Sequence, residues 1–176
     1  MTREEVLNFM RTHSLGVQAS VSAANSPQAA VVGFVVTDAF EIVFDTLATS
    51  RKAANLRQNP HCAFVIGGLL DGDERSVQYK GVADEPGGTD LHNLKEMYFT
   101  RFPDGRERQH WPGLTYFRIK PRWLRFSDWN QTPPIIVEFE FDASCPFSGK
   151  VPEFPRRRKH SQPTCHSRKR ERTALD

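Results

Sequence analysis

"FDTLATSRKAANLRQNP", residues 44–60, decides how the rest of the chain is read. An apolar run ends in Asp45-Thr46, and a short polar turn follows. Ser50-Arg51-Lys52 then leads into Ala53, Ala54 and Leu56, which favour a helix. Ser50 or Thr49 can cap that helix. Asn59-Pro60 stops it, because a proline pushes the residue before it out of helical geometry. The stretch therefore predicts strand, turn, helix over Ser50–Gln58, and a new strand. Its oddity is the pair of cations in the first helical turn, where free N–H groups already carry positive partial charge. Cations there are mildly unfavourable unless an anion lies among them. Thr46 and Ser50 supply hydroxyls, Arg51 can grip an oxyanion with two parallel hydrogen bonds, and Lys52 adds a point charge. With the free N–H groups these make a phosphate cradle. No glycine-rich loop of the Walker or Rossmann kind occurs in the sequence, so a single terminal phosphate is favoured over a triphosphate or dinucleotide.

Outward from this stretch the pattern is mostly β. Thr2-x-x-Glu5 is a capping box before Val6, Leu7 and Met10 and predicts a helix over residues 2–12. Runs at Leu15–Val21, Ala29–Val36 and Glu41–Thr46, separated by turn clusters, predict an antiparallel meander. After the central helix come strands at His61–Gly67 and Arg75–Ala83. A helix over Asp90–Phe99 has Leu91, Leu94 and Tyr98 at helical spacing, and a short turn or helix follows around Asp104–Trp111. Strands at Leu114–Ile119, Trp123–Ser127 and Ile135–Phe141 close the pattern. The expected fold class is mostly β with flanking helices, a small antiparallel barrel. The domain reading is 1–142 folded and 143–176 a basic tail without periodicity, read as disordered.

With 176 residues, 38% hydrophobic and 26% charged, the chain can bury one ordinary core. The net charge of +3 conceals a division: residues 143–176 carry +6 and the remainder −3. No apolar run is long enough for a membrane helix and no secretory core is present, so the expectation is a cytoplasmic protein. Cys62, Cys145 and Cys165 fit neither a disulfide framework nor a zinc pattern, and Cys62 reads as a small buried hydrophobe.

Strand, "FDT", turn, "SRKAANLRQNP", apolar strand and "RSVQYKGVADE" together resemble the pyridoxamine phosphate oxidase-related, FMN-binding split-barrel superfamily. The likeness runs from about Leu15 to Phe141, with "WPGLTYFRIKPRWLRFSDWNQ" similar to the closing strands of small members. The resemblance implies a split barrel, a homodimer, and FMN held in clefts at the subunit interface. It implies that Thr46, Ser50, Arg51 and Lys52 hold the FMN phosphate, that the backbone of Asp45 helps line the flavin site, and that Ser76 and Gln78 lie at the flavin ring. Departures are equally specific. Where the vitamin B6 oxidase carries an Arg and a Lys on its second strand, this chain has Ala30 and Val35. Where the oxidase has a Trp and a later Arg, it has Ser127 and Val137, and the substrate-gripping Arg-x-His motif has no counterpart. The expected function is an FMN-dependent oxidoreductase acting on a small molecule other than the B6 substrate. The alternatives are a deazaflavin-dependent reductase of the same fold and a non-catalytic flavin- or haem-binding protein.

Other candidates have plainer readings. Trp111, Trp123 and Trp129 could stack on a ligand or serve as core and interface residues. His92 and His110 have no spaced catalytic partner, and no general acid or base stands out. Asp71 and Asp73 fit turn chemistry, and Arg122, Arg125 and Asp128 a solvated or interface face. Cys145, His160, Cys165 and His166 match no zinc spacing. The tail's basic runs lack interleaved aromatics, so nucleic acid is not an expected partner.

Overall fold

Thr2 opens the first helix, α1 (Arg3–Thr12), with a complete capping box. The Glu5 amide donates to Thr2 Oγ1 at 3.2 Å and the Thr2 amide to Glu5 Oε2 at 2.6 Å. The computed structural model describes residues 1–68 and 71–142; the expected tail, 143–176, lies outside them. After α1 come β1 (Leu15–Val21), β2 (Pro27–Gly33), β3 (Val35–Val36), β4 (Ile42–Leu47), α2 (Arg51–Gln58), β5 (His61–Gly67) and β6 (Arg75–Asp84). Two helices follow, α3 (Gly88–Arg101) and α4 (Gly105–Arg108), then β7 (Leu114–Asp128) and β8 (Ile135–Glu140).

The expected meander over the first three runs does not form as one unit. β1 pairs with β2 and β3 with β4, but Phe34, fully buried, interrupts the run between β2 and β3. The strand order is β2-β1-β5-β6-β7-β4-β3, with β8 on the free half of β7. β2 and β3 thus occupy opposite ends of the order although one residue separates them in the chain. That short link forces the sheet to curl until its ends approach, and β2 touches β4 across the gap. The curled antiparallel sheet with flanking helices is the expected split barrel.

The two expected strands on either side of Pro121 are one continuous strand. β7 pairs with the whole of β6 through Arg118–Asp128, with the register shifting between Lys80 and Gly81. Its other edge pairs with β4 through Leu114–Ile119 and with β8 through Trp123–Asp128. Pro121 sits at the bulge, where a strand tolerates proline. Gly81 is needed opposite: a Cβ there would lie 2.5 Å from Ile119 Cγ2 and 2.6 Å from the Lys120 carbonyl oxygen. Tyr79, two residues earlier, donates its buried hydroxyl to the Phe40 and Ile119 carbonyls at 3.0 and 2.9 Å. The "QYKGVA" signature is therefore the mechanics of this bend.

The main core fills the inside of the curl with Phe34, Phe44, Phe64, Phe117, Phe126 and the inner face of α1. A second, smaller core lies on the other face of β4. There Tyr98 and Phe99 of α3 pack against Val35, Val43 and Tyr116. Cys62 is buried and its thiol is pushed up to about 12 by burial, so it is an inert core residue.

Candidate phosphate-binding site

β4 alternates strictly between the two cores. Phe44 and Thr46 face the main core side, and Val43 and Asp45 face α3. Thr46 is consequently brought to the start of α2. Its Oγ1 lies 3.1 Å from Ser50 Oγ, and Lys52 Nζ donates to the same Thr46 oxygen at 3.4 Å. Ser50 is the helix cap and accepts from the Ala53 amide at 3.2 Å. The amides of Arg51 and Lys52, first in the helix, have no intrahelical acceptor.

α2 is fixed in place by polar contacts as well as by Ala53 and Leu56, which enter the core. Buried Asn55 donates from Nδ2 to Ser20 Oγ at 3.2 Å and to Gln28 Oε1 at 3.1 Å, tying the helix to β1 and β2. Arg57 donates to the Ala48 carbonyl at 2.9 Å, which pins the turn before the helix. Its guanidinium also pairs with Glu85 at 2.6 and 2.9 Å, and these bonds hold the Glu85 carboxyl below its ordinary range. The helix entrance is thus preorganised.

The first turn of α2 contains no acidic residue, and among the described residues neither Arg51 nor Lys52 lies within 4.0 Å of a carboxylate. Arg51 is exposed and Lys52 half-buried. Two hydroxyls, the Lys52 ammonium and free helix N–H groups meet at the start of α2, with Arg51 exposed on the same helical turn. That donor set is chemically suited to an anion such as a phosphate.

Asp45 belongs to a different arrangement. Its side chain points away from Thr46 and accepts from the Tyr98 hydroxyl at 3.0 Å and from Arg108 Nη1 at 2.7 Å. Burial raises the pKa of Tyr98, and Asp45 reinforces the shift. The Asp45 carboxylate therefore anchors α3 and α4 to β4, and only its backbone is beside the cradle. Ser76 and Gln78 alternate with Val77 and Tyr79, which are in the main core, so they project from the outer face of the sheet, opposite to Thr46. Within one chain the structure does not join them to the cradle. Their cross-strand neighbours on that face are Ser127 and Arg125.

The model of one family, described as pyridoxamine 5'-phosphate oxidase, matches residues 2–128. The chain belongs to the pyridoxamine 5'-phosphate oxidase family. No match was found among curated proteins. Solved structures place the chain among the split barrels. A haem-binding protein from Mycobacterium smegmatis superposes with TM-score 0.67 at 13% identity, covering 80% of this chain and 59% of that one. An FMN-binding, pyridoxamine 5'-phosphate oxidase-related protein from Nostoc punctiforme gives TM-score 0.64 at 12% identity, with 80% and 91% covered. A conserved hypothetical protein from Mycobacterium tuberculosis gives 0.62 at 25% identity, with 73% and 85% covered. This chain spans about three-fifths of the length of the mycobacterial haem-binding protein.

Family membership does not extend to the vitamin B6 oxidase itself. Ala30 stands opposite Gln18 in the β1–β2 ladder, Val35 is packed into the smaller core, Val137 lies against the main core and Ser127 is buried opposite Ser76. None of these positions offers the charge or the indole of the oxidase. The remaining candidates take structural or surface places. Asp73 accepts from the Arg75 amide and guanidinium, Lys80 lies 5.0 Å over the Trp123 ring, Arg125 faces Glu138, and His92, His110, Trp111 and Trp129 are exposed. Among the described residues no three His, Cys, Asp or Glu side chains group as metal ligands, and no helix is long and apolar enough to cross a membrane. Cys145, His160, Cys165 and His166 lie outside those residues. Asn55, Arg57 and Arg108 were not legible as site supports in the sequence, since each acts through a partner distant in the chain.

Proposed function

We propose that this protein is an FMN-binding flavoprotein, an oxidoreductase acting on a small organic molecule, that works as a cytoplasmic homodimer. The observation carrying the cofactor is the start of α2, where Lys52 meets Thr46 and Ser50, Arg51 stands exposed on the same turn, and among the described residues no carboxylate neutralises either cation. In this reading those residues and the free helix N–H groups hold the phosphate. When bound, the flavin supplies the hydride or electron transfer. The chain's own contribution is to orient the flavin and exclude water.

Two features support a dimer. Outward-facing Val31, Val17 and Val65 form one cross-strand row on β2, β1 and β5, and Val31 and Val65 are 61% and 40% exposed. Ser76 and Gln78 reach a ligand in the cradle only if a second copy presents them, because they stand on the opposite face of the sheet.

A second reading, non-catalytic holding of a flavin or haem, is favoured by the likeness to haem-binding and haem-storage proteins. The absorption spectrum of freshly purified protein, with the mass of the released ligand, separates the readings. FMN is expected. A haem Soret band supports the second reading, the mass of a deazaflavin moves the assignment to the related reductases, and colourless protein that takes up no FMN on titration overturns the cofactor.

A further inference from the structure

Remote in sequence from the α2 cradle, and sharing no residue with it, a cleft of about 350 Å³ opens between the end of α1, the β2–β3 link and α3. Its apolar lining comes from Phe34, Val35, Val36 and Met97, of which Met97 is the most exposed and Phe34 lies fully buried behind the surface. Its rim carries Arg11, His13 and Arg101. The size is at the small end for ligand pockets, which restricts the occupant to a compact molecule.

The rim has one sign of charge and is weakly committed. Arg11 is paired with Asp38, whose side chain is 91% exposed, and reaches the Val36 carbonyl only at 3.4 Å. Exposed pairs of that kind exchange readily. Arg101 makes a single long bond, 3.4 Å to the Thr12 carbonyl, and among the described residues no carboxylate lies within 4.0 Å of it. His13 Nδ1 lies 3.0 Å from the Phe9 carbonyl and 3.1 Å from Thr12 Oγ1, and that hydroxyl itself donates to Phe9. Nδ1 therefore donates to the Phe9 carbonyl, which fixes the ring's orientation at the rim.

The geometry points to a second small-molecule site in this cleft, taking a compact organic carboxylate. The apolar body would lie against Met97 and the edges of Val35 and Val36, with the carboxylate between Arg11 and Arg101. A bare inorganic anion would leave the apolar lining unused, and a neutral apolar molecule would leave Arg101 without a carboxylate partner. The proposal does not depend on the flavin reading, since no residue is shared.

The full chain, with and without FMN, is titrated with phenylacetate and with neutral phenylacetamide and followed by amide chemical shifts. Saturable phenylacetate shifts centred on Val36, Met97 and Thr100 are expected, with phenylacetamide at least about tenfold weaker, as loss of a charge-assisted bond implies. Arg101→Gln should weaken phenylacetate about tenfold while leaving phenylacetamide unchanged. Met97→Trp should block both by filling the cleft. Equal binding of acid and amide, shifts elsewhere, or unaltered phenylacetate affinity in Arg101→Gln would overturn the site, whatever the result of the FMN titration.

Discussion

Replacing Arg51 and Lys52 together with alanine tests the phosphate cradle by separating two effects of opposite sign. In the liganded protein each cation contributes a charge-assisted hydrogen bond, worth about 1.5–3 kcal/mol. Arg51 is exposed and Lys52 half-buried, so solvent competition places both at the low end. About 3–4 kcal/mol is then lost, a fall in FMN affinity of about 10²- to 10³-fold. In the unliganded protein the same cations oppose the positive end of the helix by about 0.3–1 kcal/mol each. Removing them should raise the apo melting temperature by about 2–6 °C. Thr46, Ser50 and the Asn55 and Arg57 anchors remain. Fluorescence titration with FMN and with riboflavin, which lacks the phosphate, supplies the control. Riboflavin affinity should change by no more than about twofold, as for an interaction the variant does not touch. If FMN and riboflavin weaken equally, or the apo variant melts lower, the phosphate does not sit at this helix start.

Four other perturbations test the frame around that site. Gly81→Ala forces a Cβ against Ile119 and the Lys120 carbonyl and should destabilise by about 1–3 kcal/mol in urea melts. Asn55→Ala removes both bonds from α2 to β1 and β2, and should cost about 1–3 kcal/mol together with some FMN affinity. Asp45→Ala removes the acceptor of Tyr98 and one of the two carboxylates held by Arg108, and should lower stability by about 1–3 kcal/mol with the FMN-to-riboflavin affinity ratio unchanged. Acid unfolding reports Asp84: burial pushes its carboxyl up, but bonds from Arg118 and Lys120 outweigh this and hold it below its ordinary range. A carboxyl lowered on folding stabilises above its unfolded pKa of about 3.9, and the benefit is lost as pH falls through the folded value. Stability should therefore drop below about pH 4, with Asp84→Asn showing a shallower drop in a pH series of denaturant melts.

The local signals were legible where one short stretch determines the outcome. Thr2-x-x-Glu5 capped α1, Ser50 capped α2 and Asn59-Pro60 stopped it as read. What escaped depends on partners far along the chain. β7 divides into two runs in the sequence because the residue that accommodates its bulge, Gly81, lies forty residues before its partner Pro121. The continuous run into Val36 gave no sign that Phe34 would enter the core and divide it. For Asp45, alternation alone put its side chain opposite to Thr46. The acceptor role became visible only once α3 and α4 brought Tyr98 and Arg108 to that face.

The position of the cradle follows from how the barrel fails to close. β2 and β3 end the strand order yet are joined through Phe34, so the two sheet ends meet where chain geometry, not a hydrogen-bonded ladder, holds them. α2 is anchored to β1 and β2 through Asn55, while Thr46 comes from β4 on the far side of that seam. A phosphate at the start of α2 would therefore bridge both ends of the sheet and add contacts that the ladder does not supply. Binding at such a seam should stabilise the fold by mass action, with saturating FMN raising the melting temperature, and should slow amide exchange in β2 and β4 more than in β5 or β6. Uniform protection across all strands would mean that the ligand does not bridge the seam. Protection at β6 alone would mean that Ser76 and Gln78, on the outer face, hold it instead.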